Sequence, residues 1–202
     1  MKYFARYVPL ALVTILLAVG CASTSYIEVI YKLPEAQGEI GNKTIFLNVV
    51  DLRRDKSIAG PNAKEELEYF TGLFSLYVER GGKKPLLIGA FDLTALFKEA
   101  ARQRLTSVGI EVLDKKAADT PEVEIQLQEF VLDRDGKNWK ATLTYKAVTS
   151  KDGRVLTTQT VSGDAERLKI IGTRDAEKLL GEIFSDMVNR LDLAKLFSHP
   201  DL

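Results

Sequence analysis

Hydrophobic and polar positions change rhythm several times along the chain, and each rhythm predicts an element. Thr44-Ile-Phe-Leu-Asn-Val-Val50 is apolar on both sides, as a central strand is. From Leu93 to Val108 apolar residues recur at spacings of three and four, through Leu96, Phe97, Ala100, Ala101 and Leu105. That spacing predicts an amphipathic helix, with Asp92 its N-cap and Gly109 its stop. Ile110-Glu-Val-Leu113 follows as a short strand. Val123, Ile125 and Leu127 then alternate with Glu124, Gln126 and Gln128 until the phase slips near Glu129-Phe130, which predicts a bulge. Trp139, Ala141, Leu143, Tyr145 and Ala147 share the next strand face, and residues 154–165 return beside it. The two joints, Asp133–Asn138 and Ser150–Gly153, both contain Asp-Gly, a strong hairpin signal. Thr173 opens a long helix whose first turn is acidic at Asp175 and Glu177 and whose apolar stripe runs from Ala176 to Leu191.

The order is strand, insertion, helix, strand, three antiparallel strands, helix. It predicts an α+β domain over residues 44–202, with a single mixed, mostly antiparallel sheet and both long helices on one face, a βαβββα core. The other sheet face is left wet, or is covered by the insertion at residues 53–90.

Ahead of the domain the pattern is of another kind. Lys2 and Arg6 precede Tyr7 to Val19, a stretch without charge, and a basic start followed by a short apolar run describes an export signal over residues 1–20. As a helix the run is shorter than the roughly 30 Å hydrocarbon core, so it is not read as a spanning segment. Gly20-Cys21 then fits the processing site of bacterial lipoproteins, which Leu17-Ala-Val-Gly-Cys21 resembles, with Ala18 where such sites usually carry Leu. The resemblance implies cleavage between Gly20 and Cys21, a diacylglycerol on the sulfur and an acyl chain on the freed amine. Cys21 is the single cysteine, so no internal disulfide forms and the thiol is used up by its lipid. One acyl chain anchors only marginally, whereas several hold firmly. Residues 21–43 read as a lipidated, partly extended tether. Within it Ile27, Val29, Tyr31 and Leu33 fall on one side of an extended chain, so part of it can dock on the domain.

Charge narrows the partners. Removing residues 1–20 takes away Lys2 and Arg6 and no acidic residue, leaving 26 basic against 28 acidic side chains, a formal charge of −2. Nucleic-acid binding requires a clustered basic face, and none is present. Catalytic constellations are equally scarce. His199 is the single histidine and stands beside Pro200, so the usual zinc sites cannot be assembled. No Gly-x-Ser-x-Gly occurs. Gly41-Asn-Lys-Thr44 lacks the Gly-Lys pair of a phosphate loop and precedes a strand rather than a helix. Asp133–Asn138 echoes a calcium loop, but its Gly comes one place early and no bidentate Glu closes it. The expectation is therefore no enzyme, no metal and no cofactor beyond the acyl groups on Cys21.

Two contact candidates remain. Asp51 and Arg53, with Arg54 and Asp55, stand where the first central strand ends, and either pair to order the turn or meet a partner. In the insertion, Leu67 to Phe91 has two apolar runs around Arg80-Gly-Gly-Lys-Lys-Pro85, the pattern of a hairpin with a basic tip. Phe70, Phe74 and Tyr77 then either join the core, the commoner fate of apolar runs, or form an exposed patch for a protein or lipid partner. In the second case Arg80, Lys83 and Lys84 are placed to meet anionic headgroups.

The lipidation site, the strand TIFLNVVDLRRDKSIAG, the helix ending in LTSVGIEVL and the closing helix together resemble YajG-type envelope lipoproteins of Gram-negative bacteria. The shared features are Asp51-x-Arg53, Ile58-x-Gly60 and the Gly109 before a short strand. The resemblance implies an outer-membrane-tethered, non-enzymatic protein on the periplasmic face. Ala22, where Asp would favour inner-membrane retention, implies outer-membrane sorting. The expected function is a membrane-anchored binding or assembly accessory of the envelope, with a protein or lipid partner. An auxiliary lipoprotein of an ABC-type lipid transport system is the alternative, and it predicts an apolar groove between helices and sheet. An envelope hydrolase, which needs convergent carboxylates, comes last.

Overall fold

The computed structural model describes residues 25–35, 38, 40–170, 173–200 and 202. In chain order the elements are β1 (Ser25–Leu33), β2 (Thr44–Asp51), β3 (Phe70–Arg80), β4 (Leu86–Phe91), α1 (Leu93–Ser107), β5 (Glu111–Leu113), β6 (Glu122–Asp135), β7 (Asn138–Lys151), β8 (Arg154–Leu168), α2 (Thr173–Arg190) and the single turn α3 (Leu193–Leu196). The fold is α+β, but its strands form two sheets where one was expected. Five strands lie in the order β5-β2-β6-β7-β8, and three more in the order β1-β3-β4.

Local chemistry accounts for the larger sheet. β6, β7 and β8 form an antiparallel meander, and β2 joins its β6 edge in parallel. The β7–β8 turn places both Asp152 and Gly153 at positive φ (51° and 75°), the backbone that a tight, right-twisted hairpin requires. The register of β6 against β7 shifts between Leu127 and Glu129, at the position where the alternation slips. Past this bulge Phe130 and Leu132 resume the buried face that Val123, Ile125 and Leu127 began. Asp92 caps α1 by accepting the Ala95 N–H, and the chain leaves the helix through Gly109 at φ 84°.

Both long helices pack on the face that Trp139, Leu143 and Tyr145 present. Phe97 of α1 meets the Tyr145 ring edge-on, and the Tyr145 hydroxyl donates to the Met187 carbonyl of α2. The opposite face carries Lys140, Thr142, Thr144 and Lys146 and stays open to water.

The second sheet is the departure from the expected architecture, and the insertion and the tether build it together. Strands β3 and β4 are the two arms of the expected hairpin, Phe74 opposite Phe91. β1 then adds to β3 in parallel, Ile27 opposite Phe74 and Leu33 opposite Arg80. The insertion therefore does not cover the wet face; it extends the core on the helix side. Edge-on ring contacts at 4.9–6.2 Å run from Phe70 through Phe74, Phe130, Phe97 and Phe184 to Tyr31, tying the two sheets and both helices into one core. Residues 25–33 are thus not a spacer. Ile27, Val29 and Tyr31 are buried, so β1 is part of the core that residues 44–202 build.

Candidate functional site

Gly20 and Cys21 lie outside the described residues. Asp51 and Arg53 are described in full, and the structure joins them to each other. The guanidinium is buried; Nε and Nη2 donate to Asp51 Oδ1 and Oδ2, each at 3.0 Å. Its remaining N–H groups donate to the carbonyls of Lys56 (3.0 Å), Ser57 (3.4 Å) and Phe130 (3.2 Å). Five hydrogen bonds lock the loop after β2 onto β6 and use every N–H of the guanidinium, and the pair stands in the wall of a cleft of about 530 Å³.

Burial pushes the Asp51 carboxyl up, but the hydrogen bonds and charge of Arg53, with Lys56 beside them, win and hold it at about 2, below the usual 3.8. A carboxyl depressed in the folded state stabilises the fold above its unfolded value, and that contribution is lost as the pH falls through the folded value. Between pH 4 and pH 2 the chain should therefore lose about 2 kcal/mol that Asp51→Asn does not lose. Urea unfolding at the two pH values measures the difference, and equal losses in both proteins would remove the effect.

The insertion residues divide. Phe74 is buried and the half-buried Phe70 packs against it, so both belong to the core, whereas Tyr77 lies on the outer face of the small sheet between the exposed Ile30 and Leu87. Arg80, Lys83 and Lys84 are exposed at the β3–β4 tip, with Arg80 donating to Gln103 of α1. The tip lies beside Leu33, at the opposite end of the small sheet from Ser25.

A concave surface arises where the sequence pattern had marked none, along the seam between β1 and α2. β1 is an edge strand, and its outward backbone groups require partners. Helix α2 supplies them from side chains spaced by turns. Glu177 accepts the Glu28 N–H. Ser185 Oγ donates to the Ile30 carbonyl and accepts the Lys32 N–H, both at 3.0 Å. Asn189 Nδ2 donates to the Lys32 carbonyl at 2.9 Å. Such an approach needs a helix without side-chain bulk. Gly181 provides it, since a Cβ there would stand 3.4 Å from the Ile30 nitrogen.

The groove along this seam has a volume of about 710 Å³. Its floor is Ile30, Gly181 and Ser185, and Glu28, Lys32 and Lys178 are among the charges on its rim. Burial, and then the charge of Glu28, raise the Glu177 carboxyl above the usual range, so Glu177 takes up a proton more readily than an exposed glutamate. Most of the surface lining the groove is apolar, with the charged groups set around it. By contrast, the space enclosed between the helices and the large sheet is about 10 Å³, barely enough for one water. Among the described residues no cluster of His, Cys, Asp or Glu could hold a metal ion, and no helix is long and apolar enough to cross a membrane.

No family model and no curated protein matches the chain in sequence. Among solved structures it resembles the crystal structure of XCC0632 from Xanthomonas campestris, of the DUF330 family, with a TM-score of 0.56 at 14% identity over 86% of this chain and 96% of that one. The chain folds like XCC0632. The shared share exceeds what residues 44–202 supply, so the likeness to XCC0632 takes in chain ahead of β2. Weaker likenesses run to rare lipoprotein B from Shewanella oneidensis (TM-score 0.41, 11% identity, 72% of this chain and 89% of that one). The minor lipoprotein from Acinetobacter baumannii is weaker still (0.38, 10%, 78% and 93%). Both scores are too low to establish a shared fold.

The YajG-type resemblance stands on motif residues that the structure accounts for by packing. Asp51 and Arg53 pair, Ile58 is buried, and Gly109 holds φ 84°. A Cβ on Gly60 would come within 2.4 Å of the Asp133 side chain. These residues build the fold, and Asp51, Arg53 and Ile58 also line the cleft at the end of β2.

Proposed function

We propose that the chain is an envelope lipoprotein, acylated at Cys21 and held on the periplasmic face of the outer membrane, that acts as a non-enzymatic binding or assembly accessory. The observation that carries this reading is the placement of β1. Its first residue stands four positions after Cys21, and its apolar side is buried in the core. A lipid on Cys21 is thereby joined to the folded body by a link that spans at most about 14 Å. The groove between β1 and α2 is the contact surface that the geometry offers, and it runs from the anchored end of the domain along β1. The alternative reading, an auxiliary lipoprotein of an ABC-type lipid transporter, requires an apolar groove between helices and sheet; the space against the large sheet is only about 10 Å³, so it would have to use the groove between β1 and α2.

Cys21→Ala tests the anchor. The variant should lose fatty-acid labelling completely and move from the membrane to the soluble fraction, while its thermal unfolding stays unchanged. A variant that keeps its label or its membrane association would overturn the reading.

A further inference from the structure

One end of the domain gathers exposed apolar side chains around the point where the chain enters the fold. Ser25, the first residue of β1, pairs with Phe70. Tyr69, directly before Phe70, is 76% exposed. The end of β8 arrives at the same place, because Lys169 pairs with Glu66 and its N–H bonds to the Lys137 carbonyl. On either side of it Leu168 is 53% and Ile170 is 75% exposed. The Ile170 N–H donates to Asp175 in the first turn of α2, which runs alongside β1 in the same direction. Tyr69, Leu168 and Ile170 therefore share the pole from which the N-terminal segment leaves.

We infer that this pole seats on the bilayer surface, with Tyr69, Leu168 and Ile170 entering the interfacial region of the phospholipid. The inference rests on the proposed lipid at Cys21 and adds an orientation to it. Four residue steps separate Cys21 from Ser25, so Ser25 lies within about 14 Å of the anchoring lipid. From Phe70 to Arg80, β3 extends about 33 Å to the basic hairpin tip. The tether is shorter than the body, so the domain cannot invert to press the tip on the membrane. The pole around Ser25 faces the lipid, and Arg80, Lys83 and Lys84 point sideways or outward. Exposed Tyr and aliphatic side chains are the residues that an interface accepts.

Ion pairs tie up several charges at this pole, and the other exposed ones, Lys64, Lys137 and Arg174 against Glu65 and Glu68, nearly balance in number. Glu66 bonds Arg134 and Lys169, Arg167 bonds Glu182, and Lys140 bonds Asp135. The contact is accordingly apolar in character and does not need anionic lipid.

Bromolipid quenching of introduced tryptophans tests the orientation. Single variants Tyr69→Trp, Ile170→Trp, Lys83→Trp and Val155→Trp are made in the full mature chain, and each is read over the common background of Trp139. One arm uses natively acylated protein in phosphatidylcholine vesicles, with the mass of the N-terminus measured separately. The other couples the Cys21 thiol to a maleimide phospholipid, so the seating is tested whether or not the native chain is acylated. Positions 69 and 170 should be quenched roughly twofold more than 83 and 155, with little change between low and high salt. Equal quenching at all four positions overturns the inference while the anchor stands. Blue-shifted emission at 69 and 170 without quenching overturns it too, and assigns the pole to a protein or a second copy of the chain. An N-terminus without acyl groups, with pole quenching intact in the thiol-coupled arm, supports the seating and removes the native anchor alone.

Discussion

A chain shortened to begin at residue 34 should fail to fold, although it keeps every element from β2 onward. The missing segment carries Ile27, Val29 and Tyr31, each no more than 4% exposed. Burying the two aliphatic side chains contributes about 2 kcal/mol each and the tyrosine about 3. The sum, about 7 kcal/mol, is comparable to the whole stability of an ordinary domain. The loss goes further than area. Without β1, the inner edge of β3 loses its backbone partners, and Ser185 and Asn189 lose the carbonyls and N–H groups they satisfy. Trp139, fully buried in the intact chain, reports the outcome through its emission wavelength. The shortened chain should show red-shifted emission and no cooperative melt, and a chain beginning at residue 22 should show neither change. A cooperative transition within a few degrees of the longer chain would show that β1 is dispensable.

Arg53→Ala should be the most damaging single substitution at the strand end, costing about 3 kcal/mol. The cost has two sources. Asp51, 20% exposed, keeps a charge without its bidentate partner, and the carbonyls of Lys56, Ser57 and Phe130 lose donors. For a chain of this length that corresponds to a fall of roughly 10 °C in melting temperature. Arg53→Lys should restore less than half of it, because one ammonium cannot reproduce a planar fork with donors in five directions. A melting temperature lowered by no more than about 2 °C in Arg53→Ala would mean that the loop is held by other contacts. If Arg53 instead met a partner, the variant would melt normally and lose only that binding.

Much of the larger sheet could be read along the chain because its determinants are close together. The Asp-Gly turns, the slip at Glu129, the Asp92 cap and the Gly109 exit all act over a few residues. The meander β6-β7-β8 needs no distant information to pair. The Asp51–Arg53 pair was visible for the same reason, being two residues apart, although pattern alone left open whether it faced a partner. The groove between β1 and α2 was not legible. Glu28 and Lys32 are separated from Glu177, Ser185 and Asn189 by about 150 residues, and nothing local in either segment refers to the other. The alternation of Tyr26 to Leu33 showed that one side of the segment would be buried. It could not say against what, since a loosely docked tether and a core strand share that alternation.

By itself, the sequence determined an α+β chain, its helices and hairpins and the apolar side of every major element, because periodicity and turn chemistry are properties of neighbouring residues. It also carried Leu17-Ala-Val-Gly-Cys21, five consecutive positions that resemble a lipoprotein processing site and on which the proposed anchor rests. Tertiary structure alone decided that residues 25–33 run parallel to β3, that a second sheet exists, and that a groove opens between β1 and α2. Parallel pairing brings together strands with no turn between them, so its register is set by the burial of Ile27, Val29 and Tyr31 in a core that exists only once the whole chain has folded.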